Sequence, residues 1–105
     1  MKIWIDDVRS PPSDKWVWVK NSFDALRVIK GNWTGITLIS FDHDLGGDDT
    51  SVRVADFIEE MAARNVYRRF EWDIHSANPV GRNRLKQALD KADEYWTRNE
   101  LLEKE

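Results

Sequence analysis

Apolar and polar positions follow two rhythms along this chain. Lys2 to Asp6 is a short apolar run stopped abruptly by Asp6 and Asp7, and it reads as a buried strand with two carboxylates at its exit. Ser10-Pro11-Pro12-Ser13 can continue neither a strand nor a helix, so a loop follows. Trp16-Val17-Trp18-Val19 is aromatic and β-branched, a second strand. Ser22 is the expected N-cap of a helix in which Phe23, Leu26 and Ile29 recur at helical spacing as far as Gly31. Ile36 to Phe41 is a third strand ending in Asp42-His43-Asp44, and Gly46-Gly47-Asp48-Asp49 turns the chain into a helix from about Thr50 to Asn65. The stripe of that helix is Val54, Ile58, Met61 and Ala62. Phe70 to Ile74 is a fourth strand leading to His75-Ser76. Asn78 then caps a last helix with Pro79 in its first turn, and Leu85, Ala88, Leu89, Ala92 and Trp96 form its buried side. The charged residues 97–105 are expected to fray.

Strands alternating with helices predict an α/β fold, a four-stranded parallel sheet flanked by three helices with right-handed crossovers. No linker, repeat or low-complexity stretch divides residues 1–105, so a single domain is expected. In open sheets of this class, ligands bind beyond the carboxyl ends of the strands. Here three strand ends carry a dense set of polar groups, and that coincidence marks a candidate site.

Composition narrows the possibilities. There is no cysteine, which excludes disulfide scaffolds and thiolate metal sites and fits a reducing, cytoplasmic setting. The opening Met-Lys-Ile-Trp-Ile-Asp-Asp lacks the apolar stretch of a signal peptide, and no window is apolar enough to span a membrane. A net charge of −3 argues against broad binding to duplex DNA but leaves room for a small phosphorylated ligand. The six tryptophans are expected mainly in the core. Trp16 and Trp18, sharing one face of an edge strand, also allow a homodimer contact or base stacking.

The strand ends carry the candidate chemistry. Asp6 and Asp7 leave the first strand, and Asp42 and Asp44 leave the third. Carboxylates that close must be separated, protonated or neutralised, and hard oxygen ligands suit Mg²⁺ or Mn²⁺. His43 and His75, the two histidines of the chain, sit in the same motifs and are candidates for proton transfer. Strict strand alternation would turn His43 away from Asp42 and Asp44, so the pleat must break for all three to converge. The segment from His75 to Arg82 runs from a strand end into a helix N-terminus, a setting for an anion, with Ser76, Asn78 and Arg82 as its side-chain ligands and Arg9 as a further one.

Together, Ile-Asp-Asp-Val-Arg at 5–9, Ser-Phe-Asp-His-Asp-Leu-Gly at 40–46 and His-Ser-Ala-Asn-Pro-Val-Gly-Arg at 75–82 resemble the cyclic-phosphate-processing receiver-like family, found in bacteria and phages. The resemblance spans residue 1 to about residue 90. It implies a shortened receiver, flavodoxin-like but lacking the fifth βα unit. Asp6 and Asp7 match the acidic pair that holds Mg²⁺ in a receiver, Asp42 the phosphoaccepting position, and Ser76 the switch residue. The lysine that ends a receiver's fifth strand has no counterpart, which argues against phospho-aspartate signalling. The implied function is phosphoesterase-like processing of a cyclic phosphate in a nucleotide or an RNA terminus, metal-assisted, with Asp42, His43 and His75 as catalytic residues. The alternative is a non-catalytic module that binds a cyclic nucleotide or a partner protein.

Overall fold

The computed structural model describes residues 1–104. Four strands, β1 (Lys2–Ile5), β2 (Trp16–Val19), β3 (Leu38–Phe41) and β4 (Glu71–Ile74), form one parallel sheet in the order β2-β1-β3-β4. The helices are α1 (Ser22–Asn32), α2 (Val52–Ala63) and α3 (Pro79–Glu103). This is the receiver-type order, reversing between β1 and β3 and stopping before a fifth strand.

The β2-α1-β3 and β3-α2-β4 crossovers step across the sheet in the same direction. With right-handed connections, both helices lie on the same face. α3 packs mainly on α2 and joins them. The helix-covered face carries Ile3, Ile5, Val19, Ile39 and Phe41, all buried. Val54, Ile58, Leu85, Leu89 and Trp96 close the core from the helix side. Among the described residues, no helix lies on the opposite face. Its two rows, read from β2 to β4, are Trp18-Trp4-Ser40-Asp73 and Trp16-Lys2-Leu38-Glu71. A loop stands where a helix would have linked β1 to β2, because Pro11 and Pro12 forbid one. The tryptophans of β1 and β2 are therefore not core residues. Trp4 and Trp16 are half-buried, and Trp18 is exposed.

Three local readings need correction. The N-cap of α1 is Asn21, whose Oδ1 accepts the Asp24 N–H at 2.7 Å. Ser22 is the first helical residue, and Asp49 binds its N–H and hydroxyl at 2.8 and 2.6 Å. Gly31 does not stop α1, which runs to Asn32 and on into a 3₁₀ turn at Trp33–Gly35. Of the tail expected to fray, residues 98–103 are helical, since α3 continues to Glu103, while residue 105 lies outside the described residues. Asn99 is buried there and donates to the Ala62 carbonyl at 2.8 Å, while Arg69 pairs with Glu100 at 2.9 Å. Partners on α2 and on the segment before β4 supply what the charged sequence of the tail conceals. Asn78 does cap α3, with Pro79 in its first turn.

Candidate functional site

Each of the three converging strands hands its last ladder position to a functional residue. The Asp6 N–H donates to the Val19 carbonyl at 3.1 Å, the Asp42 N–H to Ile5 at 2.8 Å, and the His75 N–H to Phe41 at 2.9 Å. The sheet therefore fixes these three backbones beside the point where strand order reverses, where such folds place ligands.

Their side chains meet. Asp6, Asp42 and His75 each offer one ligand atom, and these atoms lie within 4.8 Å of one another. Asp6 is fully buried and Asp42 nearly so. Burial alone would push the Asp6 carboxyl up. Backbone N–H groups of Arg9 and Val8 on Oδ1, at 2.8 and 2.9 Å, the contact with His75 and the Arg9 charge outweigh it and hold Asp6 below the usual carboxylate range. Arg9 bridges the cluster: Nε is 3.2 Å from Asp6 Oδ2, and Nη2 is 3.5 Å from Asp42 Oδ1 and 3.3 Å from the His75 carbonyl.

His75 is oriented from three sides. Its Nε2 lies 3.0 Å from Asp6 Oδ2, and its Nδ1 lies 2.8 Å from Ser40 Oγ. Trp4 forms a flat platform for the ring. The Ser40 hydroxyl gives its one proton to the Asp73 carboxylate, an acceptor only, so Ser40 Oγ accepts from His75 and Nδ1 carries a proton. With Nδ1 turned to Ser40, Nε2 is the ring nitrogen that faces Asp6. Nε2 and the Asp6 carboxylate oxygen, 3.0 Å apart, face each other directly. That geometry requires either a proton on Nε2 or a cation between them. Ser40, Asp73 and Trp4 were not among the expected site residues. Their signals were a lone serine in an apolar strand and the polar alternation of Glu71-Trp72-Asp73-Ile74.

The other expected residues lie around this cluster rather than in it. His43 Nδ1 pairs with Asp44 Oδ1 at 3.1 Å, and its ring packs so closely on Gly81 of α3 that no Cβ would fit there. None of its hydrogen bonds reaches Asp6, Asp42 or His75. Asp44 bridges to Thr50, and its Oδ2 lies 3.4 Å from Asn78 Nδ2. Asp7 reaches toward the loop at Gly46, 3.3 Å from where a Cβ would stand. Ser76 is buried, and its Oγ accepts the Asn78 N–H at 3.1 Å. Asn78 Oδ1 in turn takes the N–H groups of Val80 and Gly81, both at 3.1 Å. Arg82 gives Nη1 to the carbonyls of Ile74 and Ser76 at 2.8 and 3.1 Å. The β4-α3 junction thus answers much of its own polarity internally.

Compared with known families, residues 1–91 match the one described as the cyclic-phosphate processing receiver domain. The chain belongs to that family. No curated protein and no solved structure matches it significantly. The match to the cyclic-phosphate processing receiver family covers all four strands, α1, α2 and the first half of α3. It therefore includes every residue of the Asp6-Asp42-His75 cluster. Among the described residues, no helix is long and apolar enough to cross a membrane.

Proposed function

We propose that this domain carries out phosphoesterase-like processing of a cyclic phosphate, in a nucleotide or at an RNA terminus, and that Asp6, Asp42 and Nε2 of His75 hold a divalent cation, Mg²⁺ or Mn²⁺. The observation that carries the reading is the convergence of one carboxylate oxygen each from Asp6 and Asp42 and one ring nitrogen of His75, all within 4.8 Å of one another. Two carboxylates and a neutral imidazole suit a hard to intermediate divalent ion. Asp7 and Asp44, at the rim, belong to the same acidic surround. When bound, such an ion polarises a phosphoryl oxygen and lowers the pKa of water.

The chain's own groups account for the rest. Arg9, half-exposed above the carboxylates, offers guanidinium N–H groups to an equatorial phosphate oxygen and offsets the repulsion between an anionic substrate and Asp42. Ser76, Asn78 and Arg82 shape the wall beside it and supply neutral and cationic contacts to the phosphate. His43, held through Nδ1 by Asp44, keeps Nε2 for proton transfer. In the hydrolysis, the water oxygen bonds to phosphorus and gives up one proton, one ring P–O bond breaks, and the freed sugar oxygen takes up one proton in its place. Ser40, Asp73 and Trp4 keep His75 in one plane and one tautomer, so the ligand atom needs no reorientation.

One observation favours a second reading. His43 is turned onto α3 rather than into the cluster, so an acid-base pair of histidines is not preassembled. A module that binds a cyclic nucleotide without opening it would need only Arg9 and the cation ligands. Incubating the protein and His75→Ala with 2′,3′-cyclic nucleotides and Mg²⁺ or Mn²⁺, with phosphorus NMR following ring opening, separates the two. Ring opening lost in the variant supports catalysis. Saturable binding with intact ligand supports the module. No turnover across a broad cyclic-phosphate panel removes the enzymatic claim.

A further inference from the structure

The helix-free face of the sheet is chemically lopsided. Tryptophans gather on β1 and β2 with Lys2 on β1 and Lys20 just past β2, whereas β4 contributes Glu71 and Asp73. Trp4 and Trp18 are register partners on adjacent strands, about 4.8 Å apart. Trp16 packs edge-on against Trp4 with ring centroids 5.6 Å apart. Trp18 is held in place by its Nε1–H, which donates to the Asp6 carbonyl at 2.7 Å, yet its side chain is exposed. Lys2 Nζ lies 4.6 Å over the Trp16 ring and Lys20 Nζ 4.3 Å over the Trp18 ring.

These features fit one kind of occupant. A fixed, exposed indole offers a flat π surface at little entropic cost, and a lysine resting on it is a cover that a base displaces while the ammonium moves to a phosphate. Aromatic side chains on an open sheet face, interleaved with cations, are the means by which proteins hold unpaired bases of a single strand. The patch is also continuous with the phosphate cluster: Trp4 carries His75 on its ring, and Trp18 is anchored to the backbone of Asp6. The acids on β4 repel a sugar-phosphate chain from that side and leave the β2 side as its path. The overall charge of −3 makes this attraction local and gives no footing to a duplex.

We propose that Trp16 and Trp18, with Lys2 and Lys20, bind the unpaired nucleotides preceding the terminal phosphate of an RNA strand, so that the substrate is an oligonucleotide end rather than a free mononucleotide. The proposal rests on the reading of the Asp6-Asp42-His75 cluster as a phosphate-processing site, and the experiment separates the two. In a first arm, a fluorescein-labelled single-stranded RNA of about eight nucleotides ending in a plain 3′-hydroxyl is titrated with protein at low salt and followed by anisotropy. Binding that weakens with salt, and by roughly fivefold to a hundredfold in Trp18→Ala, is expected. Lys20→Gln, which leaves the Trp18 hydrogen bond to the Asp6 carbonyl in place, is expected to weaken it severalfold, so a misfolded Trp18→Ala does not decide the matter. In a second arm, kcat/KM is compared for a cyclic-phosphate-ended RNA and a cyclic mononucleotide. The oligonucleotide is expected to be favoured, with that advantage falling toward one in both variants.

Binding in the first arm without turnover in the second removes the catalytic reading and keeps the strand surface. Equal kcat/KM for the two substrates, with no detectable RNA binding, overturns the strand surface and keeps the catalytic reading. A dimer in sedimentation that Trp18→Ala abolishes, with no RNA bound, assigns the face to a second copy and also overturns the proposal.

Discussion

The imidazole of His75 lies flat on the indole of Trp4, ring centroids 3.8 Å apart and planes within 5° of parallel. Trp4 is also tied down at its far end, where Nε1 donates to the Arg9 carbonyl at 2.8 Å. The indole therefore ties the histidine on its face to the Arg9 segment at its far end. Trp4→Ala is expected to cost on the order of tenfold to a hundredfold in ring opening, the range for losing a partner that orients a ligand. Trp4→Phe should recover part of it. Proton NMR gives an independent check, since the His75 ring protons are shifted upfield by the indole in the native protein and should return downfield in Trp4→Ala. Unmoved resonances would mean that the stacking does not persist in solution.

If the cluster holds a cation as proposed, saturating Mn²⁺ should raise the melting temperature of the native protein, and Asp42→Asn and Asp6→Asn should each abolish that rise. Each removes one charged donor from a set of three. Calorimetric titration reads the same loss directly. A variant that still binds the ion with native affinity would exclude its residue from the ligand set.

A divalent ion held by Asp6 and Asp42 would compete with Arg9 for the same carboxylates, because the guanidinium lies 3.2 Å from Asp6 and 3.5 Å from Asp42. Arg9→Gln should therefore tighten Mn²⁺ binding severalfold while lowering turnover. Opposite signs in the two measurements distinguish a charge competitor that also serves the substrate from a simple structural tie.

Gly81→Ala places a Cβ 2.7 Å from Cδ2 and Nδ1 of the His43 ring. An alanine inside a helix is ordinarily worth about 1 kcal/mol over glycine. Here the clash with a ring root should reverse the sign and destabilise by about 1–3 kcal/mol. In chemical denaturation the double variant Gly81→Ala/His43→Ala should lose much less than the sum of the singles. Additive losses would show that the contact is not the cause.

Asp6 also sets an acid limit. Its carboxyl titrates below the usual range when folded, so the unfolded chain takes up this proton first as the pH falls. The stability contributed by the charged form is complete above about pH 4, the unfolded carboxylate value. It is lost as pH drops through the lower folded value. In EDTA, the melting temperature of the native protein should fall more steeply below about pH 4 than that of Asp6→Asn. Parallel curves would refute the assignment.

Much of this arrangement was legible in the chain. Asn78-Pro79 announced the start of α3, and the apolar runs before Asp6, Asp42 and His75 placed three polar ends at one rim of a parallel sheet. Two things were not legible. Whether Asp42, His43 and Asp44 point together depends on how the chain leaves its pleat, and here His43 follows Gly81 instead of Asp42. The partnership of Ser40 and Asp73 with His75 depends on the β3-β4 register, which only the folded sheet defines. The tryptophans misled for a related reason: an indole suits a core or an open face equally well, and only the missing crossover helix between β1 and β2 decides between them.

The position of β2 at the sheet's margin has one more consequence. A four-residue Trp-Val-Trp-Val strand with an unpaired rim is a template for intermolecular β-addition and hence for clumping during refolding. The chain brackets it with Lys15 and Lys20, gatekeeper charges of the kind that interrupt such growth. The lysine that covers Trp18 therefore also serves colloidal solubility, and neutralising both lysines should lower the protein concentration at which refolding yields precipitate.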